Sequence, residues 1–225
     1  MKKLVTICMV VAIILAVSGV SQAGLTVIGT ATVDGYGSYN LIYEEAQSLV
    51  WLDYTNNSEI WDDQMDWAQG LGGVGSESVI VVTLDSPYTT TIDWSTDWRL
   101  PSAGSSPAQG MNQTGSEMGH LYYTSLGNLP GDDPEWSSLA NKGPFEDLVP
   151  GWYWSNTEYA EEPLWNAWSF GMGVGSLMPG DKDPFMWDPD YGMAVIEGTV
   201  TVVPEPATLC LLGLGGLFLR RRKSA

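Results

Sequence analysis

Apolar residues fall into three regimes along this chain: an unbroken apolar run near each end and, between them, a long stretch in which period-two and helical patterns take turns. Leu25 to Val33 is dense in β-branched residues and predicts a strand. Asn40 to Tyr43 and Ser48 to Tyr54 predict a hairpin, with Glu44-Glu45-Ala46-Gln47 as its polar connection. The period then lengthens. Between Asn57 and Leu71, the residues Trp61, Met65, Ala68 and Leu71 recur at helical spacing, Ser58 stands where an N-cap would, and Gly70, Gly72 and Gly73 follow. An amphipathic helix is expected there. Ser78 to Leu84 predicts an apolar strand, and Pro87 to Trp94 a Thr-rich, exposed continuation. Ser116 to Gly127 predicts a second helix with Met118, Leu121, Tyr122, Ser125 and Leu126 on one side and Gly127-Asn128 as its stop. Beyond a Gly-, Pro- and Asp-rich loop, Trp152 to Glu158 and Leu164 to Phe170 read as two aromatic strands joined through Glu161-Glu162-Pro163. A Gly-rich turn and an acidic loop follow, and Tyr191 to Val203 alternates as a closing strand. Strands interrupted by two helices indicate an α+β body.

The ends have separate jobs. Met1-Lys2-Lys3, the apolar stretch Leu4 to Val17 and the small residues of Ser21-Gln22-Ala23 have the form of a secretory signal peptide, residues 1–23. At the other end, Pro204-Glu205-Pro206 precedes an apolar run from Ala207 to Leu219 and the basic cluster Arg220-Arg221-Arg222-Lys223. The prolines remove backbone donors and keep Glu205 extended. At about 1.5 Å per residue the apolar run reaches roughly 20 Å, short of a hydrocarbon core of about 30 Å, so it suits a transient stop-transfer segment better than a lasting anchor. Basic residues flank both hydrophobic ends on the cytoplasmic side, which places the body outside the cytoplasm. This tripartite end, residues 203–225, resembles the PEP-CTERM sorting signal. The resemblance implies recognition by an exosortase-type membrane enzyme, with membrane contact through the C-terminal segment before processing and delivery to the envelope or its surroundings afterwards. An unprocessed membrane anchor is the alternative.

Removing both ends changes the chemistry of what remains. The body, residues 24–202, keeps three basic residues, Arg99, Lys142 and Lys182, against 26 acids, a formal charge of −23. Such a body repels nucleic acid and anionic surfaces. Both cysteines, Cys8 and Cys210, lie in the ends, so the body has no disulfide, thiolate site or cysteine nucleophile. His120 is the single histidine, which excludes multi-histidine zinc sites. Stability must come from packing, and the chain's eleven tryptophans and ten tyrosines can supply it.

Candidate chemistry is therefore carboxylate, amide and aromatic. Arg99 is the only arginine of the body, and so acidic a setting favours its use as a carboxylate clamp beside Trp98 over anion binding. Asp181, Asp183, Asp188 and Asp190 surround Trp187 and are the candidate Ca²⁺ ligands, although the loop lacks the glycine and terminal glutamate of an EF-hand. Solvated acidic loops are the plainer alternative. Trp165, Asn166 and Trp187 are the candidate ligand contacts, since aromatic faces stack on sugar rings and amides bind hydroxyls. Paired carboxylates such as Glu161 with Glu162, or Asp188 with Asp190, could serve a carboxylate glycosidase, and among so many acids such pairs arise by chance.

Several blocks, DWRLP at 97–101, SEMGHLYYTSLGN at 116–128, GPF at 143–145, YWSNTE at 153–158, WNAWSFGMG at 165–173 and YGMAVIEG at 191–198, resemble in order and spacing the Lcl C-terminal domain family. The resemblance implies a C-type-lectin-like α+β fold with two helices, small antiparallel sheets, long loops and paired termini. It also implies either glycan adhesion or, through distant relatives, the oxidative chemistry of formylglycine-generating enzymes. The second needs cysteines that this body lacks, and adhesion to sulfated glycans needs a basic surface. Glu162-Pro163 and Trp165-Asn166 resemble parts of the calcium-lectin sugar motifs, adjacent on one hairpin and incomplete. The expectation is an exported, non-enzymatic protein binding or embedding in neutral exopolysaccharide. A matrix component without a specific ligand and a carboxylate-based glycan-acting enzyme are the alternatives.

Overall fold

A computed structural model describes residues 24–57, 60–73, 80–131, 139–183 and 190–203. The signal-peptide run, Ser58, Trp187, Asp188 and the whole Pro-Glu-Pro tail lie outside the described residues. The body is α+β. Three antiparallel sheets are built from β1 (Leu25–Val33), β2 (Gly37–Glu44), β3 (Leu49–Leu52), β4 (Ile80–Leu84), β5 (Tyr88–Thr90), β6 (Gly110–Met111), β7 (Trp152–Glu158), β8 (Asn166–Gly171), β9 (Ser176–Asp181), β10 (Val195–Glu197) and β11 (Val200–Val202). The largest has the order β10-β3-β2-β1-β4, a second β6-β9-β8-β7, and a two-stranded ribbon pairs β11 with β5. Among the described residues there are two short helices, α1 (Trp61–Gly70) and α2 (Glu117–His120), which continues as a π-turn over Leu121–Ser125.

The central sheet is covered on both faces, which is why Leu41-Ile42-Tyr43 of β2 and the whole of β3 read as unbroken apolar runs. Ile42, Leu49, Trp51 and Val195 face one core with Met118, Leu121, Tyr122, Tyr153, Trp168 and Phe170. Leu41, Tyr43, Val50, Leu52 and Ile196 face the other, with Trp61, Ala68, Trp98 and Trp154. Side chains in a strand alternate between faces, so a strand buried on both sides needs apolar residues at every position. β1 lies between β2 and β4 at the register where Gly29 opposes Leu84. A Cβ on Gly29 would stand 2.2 Å from the carbonyl oxygen of Thr83, so only glycine permits that approach.

Four details depart from the sequence pattern. α1 begins at Trp61 after Ile60, which offers no side-chain cap; Asp62 and Asp63 in the first turn favour the helix dipole instead. The helix buries Gln64 where periodicity places Met65, because the Gln64 amide is satisfied by Asn56, whose Nδ2 donates to Oε1 at 2.9 Å and whose carbonyl accepts from Nε2 at 3.2 Å. β9 runs through Pro179 and Gly180, residues that read as a turn; Gly180 fits because the Trp154 ring occupies the place of a side chain. The closing strand breaks at Gly198, where Ile92 fills the Cβ position, and its halves join different sheets. Among the described residues the paired termini implied by the family resemblance are not found: β1 pairs with β2 and β4, whereas β10 pairs with β3 and β11 with β5.

Candidate functional site

Strands β8 and β9 carry the sequence-predicted ligand residues to one end of their sheet. Asn166 opposes Asp181 in the ladder, and the Lys182 N–H donates to the Trp165 carbonyl at 2.8 Å. The connection before them is a closed turn: Trp165 N–H and Asn166 N–H both donate to the Glu162 carbonyl, and Asn166 Nδ2 donates to Glu162 Oε2 at 2.6 Å. Lys182 fixes the base. Its Nζ donates to Glu158 Oε1 at 2.6 Å and to the Pro163 carbonyl at 2.8 Å, and it lies 4.0 Å from the Trp61 ring centre. On this tied-down turn Leu164 and Trp165 are 82% and 70% exposed. Asp181 and Asp183 are exposed beside it, the Asp183 N–H donating to Asp181 Oδ1 at 3.1 Å. The arrangement presents an indole face next to amide and carboxylate groups that can take hydroxyl protons.

Asp190 does not join that end. Its carboxylate lies 3.6 Å from where a Cβ of Gly180 would be, and successive strand residues point to opposite faces, so Asp181 is directed away from it. Among the described residues no three Asp, Glu, His or Cys side chains converge where a metal ion could sit. Burial pushes the Asp190 carboxyl up to about 6, against an opposing hydrogen bond from Ser169. The folded state therefore holds this proton more tightly than the unfolded chain, and stability falls as pH rises from about 4 through 6. Asp190→Asn is expected to remove that loss and to gain on the order of 1–2 kcal/mol at pH 8 over wild type, with little gain at pH 4, in urea unfolding at both pH values.

Arg99 is a clamp. Its Nη1 and Nη2 donate to the two oxygens of Glu117 at 2.8 Å each, and Nη2 also reaches Glu197 Oε1 at 2.6 Å. Both terminal nitrogens are engaged, by the two carboxylates and by the Leu100 carbonyl, which accepts from Nη1 at 3.1 Å. Beside it opens a cleft of about 600 Å³ between α1 and β10, lined by Gln69, Asp93, Asp97, Trp98 and Glu197. Two rim acids are engaged with neighbouring hydroxyls: Asp93 accepts from the Ser95 hydroxyl and N–H, which holds its carboxyl below the usual range, and Asp97 accepts from Thr96. The cleft draws on segments far apart in the chain, so no local motif announces it.

The centre that sequence reasoning missed is Glu44. Read as part of a polar turn, it is instead the last residue of β2 and has no exposed surface. Oε2 accepts the Trp51 indole N–H and a Gln47 amide N–H at 2.8 Å each; Oε1 meets His120 Nδ1 at 2.8 Å and the Ser125 hydroxyl. Gln47 also donates to the Glu117 carbonyl at 3.1 Å, which links this centre to the Arg99 clamp. Ser125 and His120 address the same carboxylate oxygen, an arrangement that ties α2 to the central sheet.

Comparison with known proteins adds one finding. Residues 202–223 match the PEP-CTERM protein-sorting motif. No curated protein and no solved structure matches the chain. The motif is the kind recognised by exosortase, and the protein is accordingly one sorted to the cell envelope or the extracellular space. Among the described residues no helix is long and apolar enough to cross a membrane, and the apolar run at 207–219 lies outside them.

Proposed function

We propose that the protein is a non-enzymatic surface component that holds neutral extracellular polysaccharide through the Trp165 end of its β8–β9 sheet. The observation that carries this reading is a tryptophan 70% exposed on a turn fixed by Lys182 and Glu162, beside Asn166. A rigid exposed indole can stack on a sugar ring without first being ordered, and the neighbouring amide and carboxylates supply partners for hydroxyls. The −23 body disfavours anionic polymers. The non-enzymatic part is supported by where the candidate acids sit: Glu161 and Glu162 are exposed on the surface of that turn, bonded to Tyr159 and Asn166. We also read the body as a divergent member of the Lcl C-terminal, C-type-lectin-like group. Its two short helices and small antiparallel sheets support that assignment, and its strand pairing departs from it.

Affinity electrophoresis through gels containing neutral polysaccharides, with uronic and sulfated ones for contrast, tests the binding. Retardation is expected in a neutral gel and not in the anionic ones. Trp165→Ala is expected to weaken it at least tenfold, about 1.4 kcal/mol, with the unfolding midpoint unchanged. Equal retardation of both proteins sinks the site. No retardation in any gel favours a matrix component without a ligand, and release of reducing ends would make it an enzyme.

A further inference from the structure

The sorting motif and the folded body overlap. The match begins at residue 202, yet β11 extends to Val202, which opposes Tyr88 of β5, and the Val203 N–H donates to the Pro87 carbonyl at 2.8 Å. The motif's first two residues are thus part of a β-ribbon, and its Pro-Glu-Pro follows with no spacer.

Backbone donors decide what that overlap means. An enzyme that reads an extended peptide holds it by main-chain hydrogen bonds along one edge, and the N–H groups of a strand alternate between edges. Over residues 202–206 the prolines at 204 and 206 have no N–H, so the donors are those of Val202, Val203 and Glu205. In an extended peptide held by an enzyme, those of Val203 and Glu205 would fall on one edge. The other edge offers only Val202. The donor-bearing edge is the one β5 already occupies, through Pro87 and Val203.

We propose that β5 and the sorting enzyme compete for this edge, so that β11 peels from β5 at Val202 and Val203 before the motif is captured. The proposal rests on the exosortase reading of the tail. The ribbon is built to yield at that end and not at the other. Val202 and Val203 are 63% and 52% exposed, whereas Val200 packs with Ile92 against the core and the Thr90 hydroxyl holds the Thr199 carbonyl at 2.8 Å. Opening two residues leaves the body intact. A body that has closed its ribbon then presents its tail more slowly than one that has not, which couples folding of the exported domain to its sorting.

A disulfide across the ribbon tests this. Val203 and Pro87 form a hydrogen-bonded pair, so Tyr88 and Val202 are the adjacent non-hydrogen-bonded pair, whose Cα atoms stand about 4.5 Å apart, within disulfide range. The full-length precursor carrying Tyr88→Cys and Val202→Cys is incubated with membranes containing the exosortase, with each single variant as a control for mispairing with Cys8 or Cys210. The shift to the shortened form is followed on gels. The locked precursor is expected to shorten at least tenfold more slowly than the single variants and to recover their rate when reductant is added. If the locked form shortens as fast as the controls, the competition is refuted while sorting stands. If the wild-type chain keeps its full length in the same membranes, the sorting reading fails and the proposal with it.

Discussion

Glu44→Gln is expected to cost about 3–5 kcal/mol, a large share of the total stability of a domain this size. The carboxylate has no contact with water and meets four groups, two on each oxygen. An amide of the same shape keeps one acceptor oxygen and turns an NH₂ toward the other pair. Turned toward Trp51 and Gln47, it faces two obligate donors, the indole N–H and the amide N–H; turned the other way, it forces the Ser125 hydroxyl to rotate and accept and His120 to present a bare Nδ1. A buried donor left without an acceptor costs about 1–3 kcal/mol, and the amide either orphans two of them or makes both partners on the other side reverse their roles, besides giving up the buried charge that all four groups address. Chemical denaturation read by far-ultraviolet circular dichroism measures the loss. A change below about 1 kcal/mol would mean that the network does not join α2 to the sheet as described.

Arg99 carries the second large effect. Removing it by Arg99→Ala leaves the Glu117 carboxylate, largely sheltered, with the Ser102 N–H at 2.7 Å as its remaining donor, and Glu197 exposed at the surface. The expected cost is about 2–4 kcal/mol, most of it from Glu117 and little from Glu197, whose side chain is 73% exposed. Arg99→Lys restores the charge without the fork and should recover no more than half of the loss. Equal stability of the lysine variant and wild type, by the same denaturation, would show that charge alone suffices and that the bidentate geometry is incidental.

The two expected losses fall on residues that differ sharply in how far the sequence revealed them. Arg99 is the single arginine of an acidic body, so its use as a clamp followed from composition, although its partners Glu117 and Glu197 did not. Glu44 sits beside Glu45 after an apolar run, and two acids at that point read as a solvated turn; burial was decided by α2, which lies more than 70 positions further on. The same contrast holds for the strands. β1, β2, β3 and β7 follow from β-branched and aromatic runs that need no distant partner to be read. β9 does not, because its Pro179 and Gly180 are tolerated only where β8 pairs with it and Trp154 fills the space above. The sorting tail was legible because its chemistry is contiguous. The Trp165 end was half legible: Trp165 and Asn166 stood out as residues, but Asp181 beside them, Asp190 on the opposite face and the anchoring role of Lys182 are products of register.

Binding at the Trp165 end is tested most directly by chemical footprinting of indole oxidation. The protein is treated with and without a neutral polysaccharide that retards it in gels, and each tryptophan is quantified by peptide mass spectrometry. Trp165 is expected to oxidise fast in the free protein and to be protected at least severalfold by the polymer, while the buried Trp51, Trp98 and Trp154 stay slow in both. An unprotected Trp165 in a protein that is visibly bound would contradict the account and move the ligand elsewhere, with the cleft beside Arg99 as the next place to look.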